Sequence, residues 1–366
     1  MHITASLSKY TLHFRHNKKE GAVNMASFFE QIVAFFTSII LVITNFLGIS
    51  DIRVTKKAEN FRVTTYVVGE YIQDESALHP EDFDIITDAI LFGVAEFNSN
   101  GEVICDEAKL EKALGNLRKA IGTRDVNITL NLLGPRGVTD SEVWEDQMEV
   151  LSIEHNKAFT SGVLEDNIIT ALDKYGFDGV HFDYEYPLSS NAWKHYNKFL
   201  VSLDKKLGDK YTLGVAGSDW NLKFTPAAIA AIDTLELMLY DMKDEDGKHS
   251  TYEDTVSAAA TAGIYGVPLD KINVGLPFYS RPMDMSAYWY GYNGFYNSID
   301  ENGWYHCDDI NKDFWFNTPD VIEAKTQYAI NNGFGGVMIW HYNCDLPSSH
   351  EDSLLRAAGT SINNNY

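Results

Sequence analysis

Residues 177–187 place a histidine and two carboxylates at a spacing that suits acid–base chemistry. β-Branched and aromatic residues fill this segment, which is typical of a short strand. Because side chains alternate along a strand, His181, Asp183 and Glu185 are expected to share one face. Such a face is costly to bury unless its groups share protons or bind a ligand. The alternative is a solvated polar face, but the opposite face is wholly apolar, which favours a functional strand.

The same segment resembles the signature strand of glycoside hydrolase family 18, which includes chitinases and endo-β-N-acetylglucosaminidases. The family pattern is Asp-Gly-x-Asp-x-Asp-x-Glu, followed by an aromatic residue, tyrosine and often proline. One position departs from it, since His181 replaces an aspartate that usually shares a proton with the next one. The matching positions are Asp178, Gly179, Asp183, Glu185, Tyr186 and Pro187.

Three later segments resemble the family in the same order along the chain. Residues 238–241 read Met-Leu-Tyr-Asp, similar to Met-x-Tyr-Asp. Residues 275–281 are similar to Gly-x-Pro-Phe-Tyr-Gly-Arg, with Ser280 in place of a glycine, and residues 336–340 resemble the last strand, which ends in Trp340. A Tyr-Asp pair or a tryptophan alone is more typical of a turn or a core. Four motifs in order favour a site.

The resemblance implies a substrate-assisted retaining mechanism, in which the substrate's acetamido oxygen attacks the anomeric carbon. Glu185 would be first the acid and then the base. The negative charge of Asp183 would raise the pKa of Glu185 and so keep it protonated near neutral pH. The Asp183 carboxylate would also accept a hydrogen bond from the acetamido N–H. Tyr240 and Asp241 would orient the acetamido group, and Trp340 would stack on the sugar. No metal or organic cofactor is implied. We predict a catalytic role for His181 and substrate-binding roles for Met238, Tyr186, Phe278 and Arg281.

Two departures leave two function classes open. One is His181, and the other is residues 131–134, Asn-Leu-Leu-Gly, where the family usually has Ser-x-Gly-Gly. The first class is a hydrolase of β-1,4-linked N-acetylglucosamine, acting on chitin, chitooligosaccharides or N-glycans, and the intact Glu185 favours it. The second is a chitinase-like lectin, in which His181 prevents turnover.

Strand and helix patterns alternate from residue 60 onward. Alternation of this kind implies parallel pairing, and eight units predict an α/β fold, a single (β/α)8 TIM barrel at residues 60–359. Only about 55 residues separate the last two strands, too few for a large α+β insertion, so we expect a shallow groove and endo action. Strands are expected at residues 61–69, 89–97, 126–133, 180–185, 211–217, 235–240, 271–278 and 335–340. Helices are expected at residues 107–121, twice within 146–175, and at 191–207, 226–233, 252–262 and 319–332.

The net charge and the two ends of the chain indicate which partners the protein binds and where in or outside the cell it is located. A formal net charge of −23 argues against nucleic acid as a partner. Residues 1–55 join a basic start to an uncharged run at 31–50, long enough to span a bilayer core. We expect this segment to direct export or membrane attachment, so that the protein is secreted or membrane-anchored. The alternative is an amphipathic helix docked on the barrel. We expect the protein to be a monomer. Residues 360–366 are expected to form a frayed tail.

Overall fold

Eight parallel strands form a closed barrel in this computed structural model, which describes residues 61–286 and 288–363. The expected export or anchor segment at 1–55 lies outside the described residues, as do residues 364–366. The strands are β1 (Arg62–Val68), β2 (Asp88–Phe92), β3 (Asn127–Leu133), β4 (Gly179–Asp183), β5 (Thr212–Gly217), β6 (Thr234–Leu237), β7 (Ile272–Pro277) and β8 (Gly336–Trp340).

The barrel closes where β8 pairs with β1, with Met338 opposite Thr64. Every neighbouring pair around the barrel is parallel, so all carboxyl ends open on one face. The predicted (β/α)8 barrel is therefore confirmed. The helices are α1 (Glu107–Ile121), α2 (Trp144–Phe159), α3 (Leu164–Tyr175), α4 (Ser190–Leu207), α5 (Pro226–Ala231), α6 (Tyr252–Ile264), α7 (Pro319–Asn331) and α8 (Leu354–Asn363).

Helix starts follow ordinary capping chemistry. The side chain of Ser189 accepts from the Ala192 N–H at the start of α4, and Thr251 and Asp254 form a capping box at the start of α6. No helix within the described residues is long and apolar enough to cross a membrane. Each of the eight helices has buried residues along part of its length.

The differences from the predicted elements are local. The expected second strand is interrupted at Gly93, whose φ of 74° is left-handed, and it resumes as Ala95–Phe97. Two short 3-10 helices, Glu75–Ala77 and Pro80–Asp84, connect β1 to β2. The final helix α8 was not predicted, and it continues past residue 359 to Asn363.

The connection between β7 and β8 contains two short antiparallel hairpins. Tyr279–Ser280 pairs with Tyr290–Gly291, and Trp304–Cys307 pairs with Lys312–Trp315. These hairpins are far smaller than an added α+β domain. The prediction of a barrel without a large insertion is confirmed.

As predicted, alternate side chains of β4 point to opposite faces of the strand and pack in two different clusters. Val180 and Phe182 point outward into the large apolar core beneath the helices. His181 points inward and contacts the inner surface of the barrel at Tyr66, which lies in a smaller interior cluster with Met338. The register of β4 is therefore the one expected from its sequence, and the titratable face is the interior face.

Candidate active site

A cleft of about 550 Å³ opens at the carboxyl ends of the strands. A second hollow of about 490 Å³ shares Leu133, Arg136, Asp183 and Glu185 with it, so the groove continues on both sides of the two carboxyls. The structure thus brings most of the predicted site residues into one space. Those lining the cleft are Asp183, Glu185, Tyr186, Met238, Tyr240, Asp241, Arg281 and Trp340.

Asp183 and Glu185 form a carboxyl pair at the end of β4. Asp183 is half-buried, and its Oδ1 is shielded from solvent with no hydrogen-bond partner among the described residues, whereas Glu185 is exposed. Burial raises the pKa of Asp183 well above its usual value, and the charge of the neighbouring Glu185 acts in the same direction. Burial therefore favours a proton on Asp183. The family resemblance implies a proton on Glu185 instead, and strand alternation alone does not show which carboxyl is more deeply buried.

His181 does not line the cleft but lies beneath it inside the barrel. Its Nδ1 is 3.0 Å from Asn131 Nδ2, and its Nε2 is 3.4 Å from Tyr66 Oη. Burial lowers the pKa of His181 to about 3, so the ring is neutral. It accepts from Asn131 and donates to Tyr66. A Cβ at Gly214 would lie 2.9 Å from His181 Cδ2, so this glycine makes room for the imidazole.

Asp241 is held at the rim of the cleft by three side chains. Tyr279 Oη donates to its Oδ1 at 2.5 Å, Arg281 Nε lies 2.7 Å from the same atom, and His249 Nε2 lies 3.3 Å from it. Burial alone would raise the pKa of Asp241, but the hydrogen bonds from His249 and Tyr279 and the charge of Arg281 outweigh it, so the pKa is lowered. Asp241 is a fixed carboxylate that accepts hydrogen bonds.

Trp340 lies on the floor of the cleft. Its ring meets those of Tyr66 and Phe92 edge-on, with centroids 5.1 and 5.0 Å away. These contacts hold the indole while it remains partly open to the cleft. Two further indoles line the same space, Trp220, which is 51% exposed, and Trp289, which is 39% exposed. The cleft therefore offers several aromatic faces to a ligand.

Phe278 is not brought into the cleft. It is 1% exposed and lines a separate cavity of about 230 Å³. The reason is alternation just after β7, since Tyr279 points toward Asp241 and the preceding side chain must point the other way. The structure does not support the predicted contact of Phe278 with substrate.

Sequence reasoning missed several residues that form this site. Tyr279 lies inside a quoted motif, so alternation with Phe278 could have identified it. Tyr66 and Asn131 lie on other strands, and their proximity to His181 depends on register across the barrel. His249 comes from the loop after β6, where no periodic pattern exists. Among the described residues, no group of three or more His, Cys, Asp or Glu side chains could hold a metal ion.

Comparison with known proteins shows the family of the chain. The sequence profile of glycosyl hydrolases family 18 matches residues 89–345, which is most of the described barrel. The chain belongs to this family. Among curated relatives, it is 26% identical over 271 residues to Chitinase A1 of Niallia circulans, covering 54% of this chain and 39% of that protein. The chain thus spans well under half the length of that relative.

Solved chitinase and chitinase-like structures share the fold. A chitinase variant from Cycas revoluta, solved in complex with (GlcNAc)4, superposes with a TM-score of 0.64 at 18% identity, covering 82% of this chain and 99% of that one. A chitinase-like agglutinin from Robinia pseudoacacia gives a TM-score of 0.63 at 16% identity, with the same coverage of 82% and 99%. At these identities the likeness concerns the fold, and the barrel is shared by proteins named as enzymes and as agglutinins.

Proposed function

We propose that this family 18 protein hydrolyses β-1,4-linked N-acetylglucosamine polymers, chitin and chitooligosaccharides, by a substrate-assisted retaining mechanism. The observation that carries the proposal is the pair of carboxyls, Asp183 and Glu185, that line the same cleft as Trp340 and Asp241. A neutral sugar polymer also suits the strongly acidic chain, whose net charge is −23.

The carboxyl pair shares one proton in the proposed reaction. Before substrate binds, burial favours that proton on Asp183. A substrate acetamido N–H that donates to Asp183 would stabilise its anion, and the proton would then reside on Glu185, where it can be delivered to the glycosidic oxygen. The Asp183 anion would stabilise the positive charge that develops on the acetamido group. Glu185 would afterwards activate water as the base.

The other cleft residues would orient the reacting sugar. Tyr240 and the fixed carboxylate of Asp241 would hold the acetamido group, and Trp340 would stack on the apolar face of the ring. Met238, Tyr186 and Arg281 line the same cleft and would complete the substrate contacts. The groove that continues beyond Glu185 would admit sugars on both sides of the cleaved bond, which suits endo action.

His181 favours a second candidate function, a sugar-binding protein without turnover. Both ring nitrogens are already engaged, and the pKa of the ring is lowered to about 3. His181 therefore cannot take the proton of Asp183 as an aspartate in its place would. A lectin would use the same aromatic cleft and would release no product.

One assay separates the two candidates. The purified protein is incubated with fluorogenic N-acetylchitooligosaccharides, chitin and N-glycans across pH 4 to 9, and sugar binding is measured in parallel. Product release supports the hydrolase, and the preferred substrate distinguishes chitin from N-glycans. Sugar binding without product from any of these substrates would exclude the hydrolase and support the lectin.

Trp340→Ala is expected to weaken chitooligosaccharide binding by about 1 to 3 kcal/mol, because an aromatic face that stacks on the sugar is lost. Isothermal titration calorimetry measures the change. Trp340→Phe retains a ring and is expected to recover part of the affinity. If affinity stays unchanged while the melting temperature falls, Trp340 belongs to the core through its contacts with Tyr66 and Phe92.

A further inference from the structure

A buried lysine lies behind the loop that follows β6. Lys325 belongs to α7 and is 0% exposed, and its Nζ donates to the carbonyl oxygen of Ser250 at 2.6 Å. Burial lowers the pKa of the Lys325 amine to about 7, although the charges of Asp254 and Glu253 on α6 act in the opposite direction. An amine is costly in such a place, and an apolar side chain would pack the helix as well. The contact with Ser250 therefore calls for a role.

Asn317, just before α7, holds the same turn. It is 1% exposed, and its Nδ2 donates to the carbonyl oxygens of His249 at 3.1 Å and Ser250 at 3.3 Å. Ser250 is also buried, with a left-handed φ of 52° that costs free energy for a residue with a side chain. The Lys325 amine and the Asn317 amide are thus two buried donors that hold the carbonyl oxygens of this strained turn.

The same turn carries the imidazole of His249, which contacts Asp241 at the rim of the cleft. His249 is 0% exposed, and its Nε2 lies 3.3 Å from Asp241 Oδ1 and 3.2 Å from the Asp241 backbone nitrogen. Asp241 has a left-handed φ of 60°. A continuous set of contacts therefore runs from Lys325 through the His249–Ser250 backbone to the carboxylate at the rim of the cleft.

We propose that Lys325 and Asn317 are positioning residues that hold the His249–Ser250 turn and, through the His249 ring, set the place of Asp241. Neither residue touches the substrate. The consequence for turnover rests on the proposed function of Asp241 in orienting the acetamido group, whereas the coupling of Lys325 to His249 does not depend on it.

Lys325→Met keeps the length of the side chain and removes its donor. We expect kcat on a fluorogenic chitooligosaccharide to fall about tenfold with KM changed less than about twofold, because stacking on Trp340 persists while the acetamido group is less well oriented. Thr326→Val is the matched control. Thr326 is also 0% exposed on α7, but its hydroxyl bonds only within the helix, to the Ile322 carbonyl oxygen. Equal losses in both variants would overturn the proposal.

A double-mutant cycle tests whether the effect passes through Asp241. In an Asp241→Ala background, Lys325→Met is expected to change kcat less than about twofold, because the group that it positions is gone. A full tenfold loss in both backgrounds would show that Lys325 acts elsewhere and would overturn the proposal. Asn317→Leu provides a second variant for the same cycle.

A spectroscopic readout separates this inference from the proposed function. Imidazole signals of the ¹⁵N-labelled protein are recorded by NMR, with that of His249 assigned through His249→Gln. Lys325→Met and Asn317→Leu are expected to shift the His249 signals, and Thr326→Val is expected to leave them in place. Unmoved signals in all three variants would overturn the positioning role. If the parent hydrolyses nothing, the proposed function fails and the NMR result still decides the coupling.

Discussion

Glu185→Gln is expected to lower kcat on a fluorogenic N-acetylchitooligosaccharide by about 10²- to 10⁴-fold, which is the usual contribution of a positioned general acid. Glutamine has the shape of glutamate but cannot deliver a proton to the glycosidic oxygen. Substrate binding should persist, because Trp340 and Asp241 are untouched in the same cleft. Initial rates and calorimetry on the same preparation measure the two quantities, and the loss should appear in kcat and kcat/KM alike.

Glu96→Gln is a suitable control for this experiment. Glu96 is exposed on the short strand after β2 and does not line the cleft, so its amide variant should retain the parent turnover. A Glu185→Gln variant as active as the parent would remove Glu185 from the chemistry. A parent protein that binds chitooligosaccharides and shows no turnover to lose would instead be the lectin.

Glu236→Gln is expected to stabilise the protein by about 3 kcal/mol at pH 8 and hardly at all at pH 4. Glu236 lies inside the barrel on β6 and is 1% exposed, and its carboxyl oxygens accept from Asn273 Nδ2 at 3.0 and 2.9 Å. Burial raises the pKa of Glu236 to about 7, although hydrogen bonds from Asn273 and Thr234 oppose the shift. The folded protein therefore retains a proton that the unfolded chain releases above pH 4.5.

The sign follows from that difference in proton binding. The contribution of Glu236 to stability is complete below pH 4.5 and is lost as pH rises to about 7, by about 1.4 kcal/mol for each pH unit. Glutamine has no such loss. Urea unfolding of parent and variant at pH 4 and pH 8 measures the difference in their free energies of unfolding. Glu301→Gln, at an exposed position, should show no comparable change between the two pH values, and a variant less stable than the parent at pH 8 would contradict the argument.

The sequence predicted what depends on short-range patterns. Strand periodicity gave all eight strands and the inward face of β4, because alternation is a property of the backbone. The resemblance of residues 238–241 to the family's Met-x-Tyr-Asp motif indicated one side of the cleft. The short connections and the final helix α8 were missed, and the 3-10 helices after β1 have no periodicity long enough to recognise.

Contacts between distant strands and loops could not be predicted. The hydrogen bonds of His181 to Asn131 and Tyr66 depend on the register of three strands around the barrel. Lys325 is a charged residue on a helix, and composition alone would place it in solvent. It is buried because the loop after β6 brings a carbonyl oxygen to it. The location of the proton on Asp183 also depends on burial, which only the assembled fold determines.

The pairing of β1 with β8 has a consequence for synthesis on the ribosome. The first strand of the barrel has its final neighbour, opposite Thr64, in the last one at Met338. Until β8 has left the exit tunnel, the nascent sheet is open and β1 presents one unpaired edge to other chains. Trp340 is also absent from the cleft during that time. A chain that stops before β8 would therefore keep this edge of β1 unpaired, and other chains could pair with it.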